Sequence, residues 1–244
     1  MELQDVIRTT GSCRFFLPDA VSDDVLAQLL DAARFAPQGG NRQPVRWIAV
    51  RDRALKLALR DWYLIPWKAY MRKTETGEVQ IGGASARRMV RNADQMAEHL
   101  DEAPVLLIVC AVLADLTTPD AALDRVGIVG GASIYPAVQN LLLSAREMGL
   151  GAALTTLLCA YEPQVKELLS IPEGIATAGM IVLGWPARPL ATRLTRRAVE
   201  EVVFAERYGE PLLPGAWPRP GSSRPSVRSL RPIAPSTGID APVR

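Results

Sequence analysis

Apolar residues occur along this chain in two patterns, helical spacing and continuous runs, and these patterns predict where helices and strands lie. Helical spacing of apolar residues marks six segments: residues 3–10, 22–36, 53–60, 85–100, 133–148 and 162–170. Ser22 and Ser85 are the predicted N-caps of the second and fourth of these helices. Nearly continuous apolar runs mark four strands: residues 45–50, 105–111, 152–157 and 176–184. The helix over residues 133–148 is apolar nearly all round, which predicts a central position or a place at a subunit interface.

The composition changes near the end of the chain. From Pro211 onwards Pro, Gly, Ser and Arg dominate, and large apolar residues are few. We therefore expect a folded domain over residues 1–210 and a Pro/Arg-rich tail over 211–244. Trp217 predicts that residues 211–218 dock on the folded domain or on a partner subunit, whereas residues 219–244 are expected to be mobile.

The counts of reactive residues exclude several classes of protein. The chain has three cysteines, none in Cys-x-x-Cys spacing, and a single histidine, His99. A zinc site, a disulfide framework and a histidine-dependent nucleophile are therefore not expected. An enzyme of this composition would rely on an imported cofactor, and we predict no metal ligands.

Charge and hydropathy set the expected location and partners. The net charge is +2, of which five arginines and one aspartate from Leu212 onwards contribute +4, so the preceding residues carry −2. That balance is not typical of a nucleic-acid-binding face. The longest apolar runs are about half a membrane span, and the first residues do not resemble a secretion signal. We expect a cytoplasmic protein with no nucleic-acid or membrane partner.

The connection between the helix at 22–36 and the strand at 45–50 is chemically unusual. It reads A-P-Q-G-G-N-R-Q-P and contains Gln38, Gly39, Gly40, Asn41 and Gln43. Glycines let backbone N–H groups approach a flat ligand closely, and neutral amides both donate and accept hydrogen bonds. These residues are candidates for one wall of a cofactor site, although a plain polar loop would have the same composition.

Two basic clusters are candidates for a phosphate site. Arg8, Ser12 and Arg14 lie within seven residues near the start, and a second basic cluster spans residues 193–197. Arginine presents a planar fork to phosphate oxygens, and hydroxyl groups complete the shell. Solvated surface turns would show the same residues. The chain has neither a G-x-G-x-x-G motif nor a Walker loop, but a mononucleotide needs neither, because side chains can hold its single phosphate.

Taken in order, these segments resemble the nitroreductase family of FMN-dependent oxidoreductases. The resemblance runs from Met1 to about Glu201 and rests on four stretches. They are R-T-T-G-S-x-R at 8–14, A-P-Q-G-G-N-R-Q-P at 36–44, I-Y-P-A-V-Q-N-L-L-L-S-A-R-E-M-G-L-G at 134–151, and R-R-A-V-E-E-V-V at 196–203.

The resemblance implies an α+β fold with a mixed central sheet flanked by helices. It also implies an intertwined homodimer that holds two FMN molecules at its interface, each lined by both subunits. Ser12, Arg14 and Arg196 would bind the FMN phosphate. The ring would be edged by Gln38, Gly39, Gly40, Asn41 and Gln43 of the partner subunit. Ser133 would begin the interface helix, and the main-chain N–H groups of Thr155 and Thr156 would face the flavin.

The implied activity is hydride transfer from NAD(P)H, as co-substrate, to FMN and then to a small flat acceptor such as a nitroaromatic or a quinone, by a ping-pong mechanism. The flavin carries this chemistry, so we assign no catalytic residue to the protein. Members of the family also carry out reductive dehalogenation, flavin destruction and dehydrogenation of peptide-derived rings. A specialised biosynthetic flavin enzyme and a non-catalytic FMN-binding storage or sensor protein are therefore alternatives.

The chain departs from the family pattern at the phosphate motif. Gly11 stands where the family often has arginine, Thr10 where a basic residue is common, and Leu194 where some members have lysine. Arg8, one helical turn earlier, is a candidate to replace the missing charge.

Two further groups of side chains admit two interpretations each. The aromatic residues between Trp62 and Tyr70 could cover the flavin as a lid or fill the core. Cys13, between two arginines, could be a reactive thiolate or a small buried residue.

Overall fold

The computed structural model describes residues 1–212, in which helices and strands follow the order predicted from the hydrophobic pattern. The helices are α1 (Leu3–Thr9), α2 (Asp23–Arg34), α3 (Arg53–Glu75), α4 (Gly83–Glu98), α5 (Tyr135–Glu147) and α6 (Glu162–Leu169). The strands are β1 (Val45–Val50), β2 (Val105–Val112), β3 (Gly151–Thr155) and β4 (Ile175–Gly184). The chain divides into two compact units, Met1–Leu194 and Thr195–Arg244.

The first unit is built around one sheet with strand order β1-β2-β4-β3. All three strand pairs are antiparallel, with a register shift between Val109 and Cys110 of β2. The α+β class is confirmed, whereas the sheet that we expected to be mixed is antiparallel throughout the described residues. Sequence periodicity could not reveal strand direction, because direction depends on how the connections cross the sheet.

Helices cover both faces of the sheet. One face packs against α2 and α5 and includes Leu107 and Val109 of β2. The other face packs against α3, α4 and α6 and includes Leu106 and Ile108 of the same strand. Both faces of β2 are therefore buried, which explains why its sequence is continuously apolar instead of alternating.

Several helix boundaries differ from the sequence predictions. The helix predicted over 53–60 continues as α3 to Glu75 and includes Pro66 in its interior. Packing of its aromatic residues in the core compensates for the missing proline N–H. Helix α4 begins at Gly83 with Gly82 as its N-cap, so the predicted cap at Ser85 is wrong. In α2, by contrast, the predicted cap is confirmed, because Ser22 accepts a hydrogen bond from the Val25 N–H.

The second unit is described only as far as Leu212. It contains a short 3₁₀ segment, Val199–Glu201, and an isolated antiparallel bridge between Phe204 and Pro211. The predicted docking of Trp217 and the predicted mobility of residues 219–244 lie outside the described residues. The proposed boundary at residue 210 stays a prediction.

Within residues 1–212 no helix is long and apolar enough to cross a membrane. In the same part of the chain, no group of His, Cys, Asp and Glu side chains is arranged to hold a metal ion.

Candidate functional site

The segment from Cys13 to Leu17 is fixed to one end of the sheet. The Cys13 N–H donates to the Ala152 carbonyl at 2.9 Å, and the Leu17 N–H donates to the Trp185 carbonyl at 2.8 Å. The segment can lie this close to β3 only because Gly151 has no side chain, since a Cβ at residue 151 would lie 2.6 Å from the Cys13 Cβ. The backbone on both sides of Arg14 is therefore held firmly in place.

Arg14 is a half-buried cation without an anionic partner among the described residues. No hydrogen bond or ion pair of its guanidinium is found in this part of the chain, and burial lowers its pKa. Its side chain lines a cavity of about 260 Å³. An unpaired, partly desolvated guanidinium is a favourable partner for an anionic ligand, since such a ligand would offset the cost of burying the charge.

Both polar and apolar side chains line the cavity. His99, Gln95 and Arg188 are among the polar ones, and the Arg188 guanidinium lies 3.4 Å from the centre of the Phe15 ring. His99 Nδ1 is 3.0 Å from a carboxylate oxygen of Glu102, so the one acidic side chain of the lining already has a partner. Two arginines and one paired carboxylate make the cavity suited to a ligand with negative charge.

Thr155 ends β3 on the same face of the sheet. Its hydroxyl lies 3.2 Å from the Tyr63 hydroxyl of α3. Burial raises the pKa of Tyr63, and the hydrogen bond to Thr155 and the positive charge of Arg14 act in the opposite direction. The neutral phenol is therefore the stable form. Thr156 follows as an exposed residue that begins a 3₁₀ turn.

The glycine-containing loop forms a second cluster, built around Gln38. The Gly39 N–H donates to the Ser133 hydroxyl at 3.1 Å, which ties the loop to the turn before α5. Gly40, Asn41 and Gln43 have φ values of 59°, 51° and 52°. Left-handed backbone at two non-glycine residues is uncommon and is concentrated at binding sites.

Gln38 Oε1 is buried and accepts no hydrogen bond from the described residues. A buried acceptor without a donor is costly, so this atom needs a donor from a ligand, a water molecule or another chain. The loop therefore fits the predicted role of a cofactor wall with hydrogen-bonding groups.

The two clusters lie in different parts of the protomer. The loop follows α2, which packs on one face of the sheet, whereas Tyr63 and the cavity residue Val182 belong to the other face. The loop precedes β1 and Thr155 ends β3, and these strands are the two edges of the sheet. Three strand spacings, about 14 Å, separate the edges. The structure therefore brings Arg14 and Thr155 to one face of the sheet, whereas Gln38 and Ser133 belong to the separate cluster before β1.

The remaining phosphate candidates are exposed. Arg8 and Ser12 are solvent-exposed, and Arg196 belongs to the second unit, where it donates to the Thr195 carbonyl at 2.8 Å. Two of the three departures from the family motif are neighbours, since a Cβ on Gly11 would lie 3.1 Å from Leu194 Cδ2. Leu194 therefore occupies space that a side chain at position 11 would need.

The structure decides between the two interpretations that the sequence left open for the aromatic cluster and for Cys13. Tyr63 and Trp67 are core residues, so this part of the aromatic cluster fills the interior and does not form a lid. Cys13 is buried, and burial raises the pKa of its thiol, which contradicts a reactive thiolate. His99 is exposed and forms the C-cap of α4.

Three candidate residues were missed in the sequence: Tyr63, Gln95 and Arg188. Tyr63 was considered only as part of an aromatic cluster. Gln95 and Arg188 lie far from Arg14 in sequence and approach its cavity only in the folded chain. The single signal available in the sequence was the spacing of four residues between Gln95 and His99, which on one helix would place both side chains on the same face.

Comparisons with known proteins agree with the fold and with the sequence motifs. Residues 7–185 match the model of the nitroreductase family. The chain belongs to the nitroreductase family. One relative, a putative NADH dehydrogenase/NAD(P)H nitroreductase of Methanothermobacter thermautotrophicus, is 26% identical over 195 residues, which are 79% of this chain and 82% of the relative.

Proteins with other activities also resemble the chain over most of its length. The 5,6-dimethylbenzimidazole synthase of Rhodospirillum rubrum is 31% identical over 182 residues, which are 71% of this chain and 76% of the synthase. A crystal structure of iodotyrosine deiodinase bound to FMN and 3-iodo-L-tyrosine has a TM-score of 0.61 and 24% identity, with 84% of this chain and 98% of that chain covered. The nitroreductase-like fold predicted from the sequence is confirmed.

Proposed function

We propose that this chain is an FMN-dependent oxidoreductase that takes hydride from NAD(P)H and reduces a small flat acceptor such as a nitroaromatic or a quinone. The observation that carries the proposal is the unpaired, half-buried Arg14 at a cavity on a nitroreductase fold. The FMN-bound deiodinase structure among its neighbours supports the choice of cofactor.

The protein's own contribution is binding and positioning. Arg14 would offset the negative charge of FMN, and Thr155 would offer hydrogen-bonding groups to the ring from the same face of the sheet. Phe16, Met96 and Leu100 in the cavity lining would keep water away. When bound, FMN supplies the hydride chemistry, since it accepts two electrons from a nicotinamide and returns them to an acceptor. A donor and an acceptor that use one cleft in turn give ping-pong kinetics.

Two protomers would complete each site. The loop that contains Gln38, Gly39, Gly40, Asn41 and Gln43 precedes β1 at one edge of the sheet, whereas Thr155 ends β3 at the other edge. We therefore infer that the loop which contacts each FMN beside Arg14 and Thr155 comes from the partner subunit. The unsatisfied Gln38 Oε1 fits this arrangement, because a ligand bound at the interface would supply the missing donor. We therefore propose a homodimer in which Ser133 positions the loop through the Gly39 N–H.

FMN titration of the purified protein tests the phosphate assignment. Arg14→Gln keeps much of the side-chain volume and removes the charge, so FMN affinity should fall about ten- to a hundredfold, as expected for a charge-assisted hydrogen bond. Arg87→Gln is a matched control, because Arg87 is exposed on α4 and is not part of the cavity lining. Wild-type affinity in Arg14→Gln would contradict the assignment. Arg8→Ala should show a smaller loss if Arg8 replaces the charge missing at Gly11.

The visible spectrum tests the activity. Wild-type protein should be yellow and should bleach with NADH or NADPH in the absence of oxygen. Colour without bleaching would favour a non-catalytic flavin-binding protein, and absence of colour after FMN loading would reject every flavin assignment. Turnover with nitroarenes and quinones then identifies the acceptor class.

A specialised biosynthetic flavin enzyme is the second candidate. It is favoured by the 31% identity to 5,6-dimethylbenzimidazole synthase, which exceeds the identity to the nitroreductase relative. This candidate predicts weak turnover of nitroarenes and quinones. It would be supported by irreversible loss of flavin absorbance when the reduced protein is exposed to oxygen without another acceptor.

A further inference from the structure

Tyr63 is a polar residue buried in the core, and its ring is held rigidly. Its side chain is 2% exposed, and its ring stacks on Trp67 with centroids 6.5 Å apart and an interplanar angle of 13°. Trp67 is fixed in turn, because its indole N–H donates to Asp94 Oδ1 of α4 at 2.8 Å. The Tyr63 hydroxyl therefore has a defined position at the edge of the core.

The Tyr63 hydroxyl reaches Thr155 from the core, on the face of the sheet that also carries the cavity residue Val182. It lies 3.2 Å from the Thr155 hydroxyl, and either oxygen could donate in that hydrogen bond. The positive charge of Arg14 acts on the phenol. A cation attracts the lone pairs of the phenol oxygen and repels its hydrogen, which favours donation from Tyr63 to Thr155 Oγ1. The hydroxyl hydrogen of Thr155 is then free for another acceptor.

We propose that Tyr63 is a positioning residue whose hydroxyl holds the Thr155 side chain so that the Thr155 hydroxyl acts as a hydrogen-bond donor to FMN. This inference rests on the proposed function, since it assumes that FMN binds beside Thr155. In this proposal the buried aromatic residues support the flavin site from within the core and do not cover it as a lid. Trp67 and Asp94 contribute by fixing the phenol ring, and Tyr63 itself does not touch the ligand.

Removal of one hydroxyl tests the proposal. Tyr63→Phe keeps the ring and its stacking, so FMN affinity should fall about 2- to 10-fold, the range expected for one neutral hydrogen bond. The absorbance maxima of bound FMN should also shift, because a donor to the ring would be lost. Tyr70→Phe is the matched control. Tyr70 is on the same helix with its ring 5.6 Å from that of Trp67, and its hydroxyl has no hydrogen bond within the described residues.

A double-variant comparison separates positioning from a merely structural role. Thr155→Val keeps the shape of the side chain and removes its hydroxyl, so it should weaken FMN binding as Tyr63→Phe does. If Tyr63 acts through Thr155, adding Tyr63→Phe to Thr155→Val should produce no further loss of affinity. Thr155→Ser, which keeps the hydroxyl, should retain wild-type affinity and spectrum, and this comparison remains available if Tyr63→Phe does not fold.

Three results would overturn the proposal. They are wild-type affinity and spectrum in Tyr63→Phe, additive losses in the double variant, and equal losses in Thr155→Ser and Thr155→Val. Each of these leaves the proposed function intact, because wild-type protein still binds and reduces FMN. Failure of the wild-type protein to bind FMN in the same titration would instead reject the proposed function, and the inference with it.

Discussion

Replacement of Gly151 by alanine tests how the sheet positions Arg14. A Cβ at residue 151 would lie 2.6 Å from the Cys13 Cβ and closer still to its Sγ. Carbon atoms normally stay about 3.5–4.0 Å apart, so the overlap is about 1 Å. Cys13 cannot withdraw easily, because its N–H is bonded to the Ala152 carbonyl at 2.9 Å. Either β3 or the segment that carries Arg14 must move.

The expected loss of stability follows from overpacking of a buried contact. Such substitutions typically lower the free energy of unfolding by about 1–3 kcal/mol. In a domain of this size each kcal/mol lowers Tm by about 2–4 °C, so Gly151→Ala should melt roughly 2–12 °C below wild type. FMN affinity should fall as well, since Arg14 follows Cys13 directly. Thermal unfolding by circular dichroism and FMN titration measure the two effects.

Gly82→Ala is the control for a general glycine effect. Gly82 has open space around the position of a Cβ and a φ of −73°, so alanine there should leave Tm unchanged or raise it slightly. Cys13→Gly in the Gly151→Ala background should restore FMN affinity, whereas Cys13→Ala should restore it only in part because the Cβ contact remains. Wild-type Tm and FMN affinity in Gly151→Ala would refute this account of the contact.

Two other predictions concern assembly and alkaline pH. Light scattering with FMN bound should show a dimer at nanomolar concentration, held by an interface above roughly 2,000 Å², and a flavin-loaded monomer would contradict the shared site. Burial, followed by the charges of Glu162 and Cys159, raises the pKa of the Cys110 thiol from 9.0 to about 11. The folded state therefore holds this proton more tightly, and the resulting stability is complete below pH 9 and is lost as the pH rises to about 11. Urea unfolding at pH 8 and pH 10.5 measures the loss, which should be smaller in Cys110→Ala.

The sequence by itself determined the local elements and the family. The apolar run of β2 and the cap at Ser22 are signals that need only neighbouring residues, and both were interpreted correctly. The motif around Gln38 indicated a cofactor wall, and its left-handed backbone agrees with that interpretation. Helix ends were less certain, because core packing, and not local preference, carries α3 past Pro66 to Glu75.

Only the tertiary structure decided which residues share a site. Arg14 looked like one member of an exposed basic cluster, but the glycine at position 151 lets its segment lie against the sheet, so Arg14 is half-buried beside a cavity. From the sequence Tyr63 could belong to a lid or to the core, and the α3 packing turns it inward to Thr155, 92 residues away in sequence. Contacts of this kind depend on which faces of helices and strands meet. A periodic pattern predicts that a face is buried, and only the folded chain shows what it is buried against.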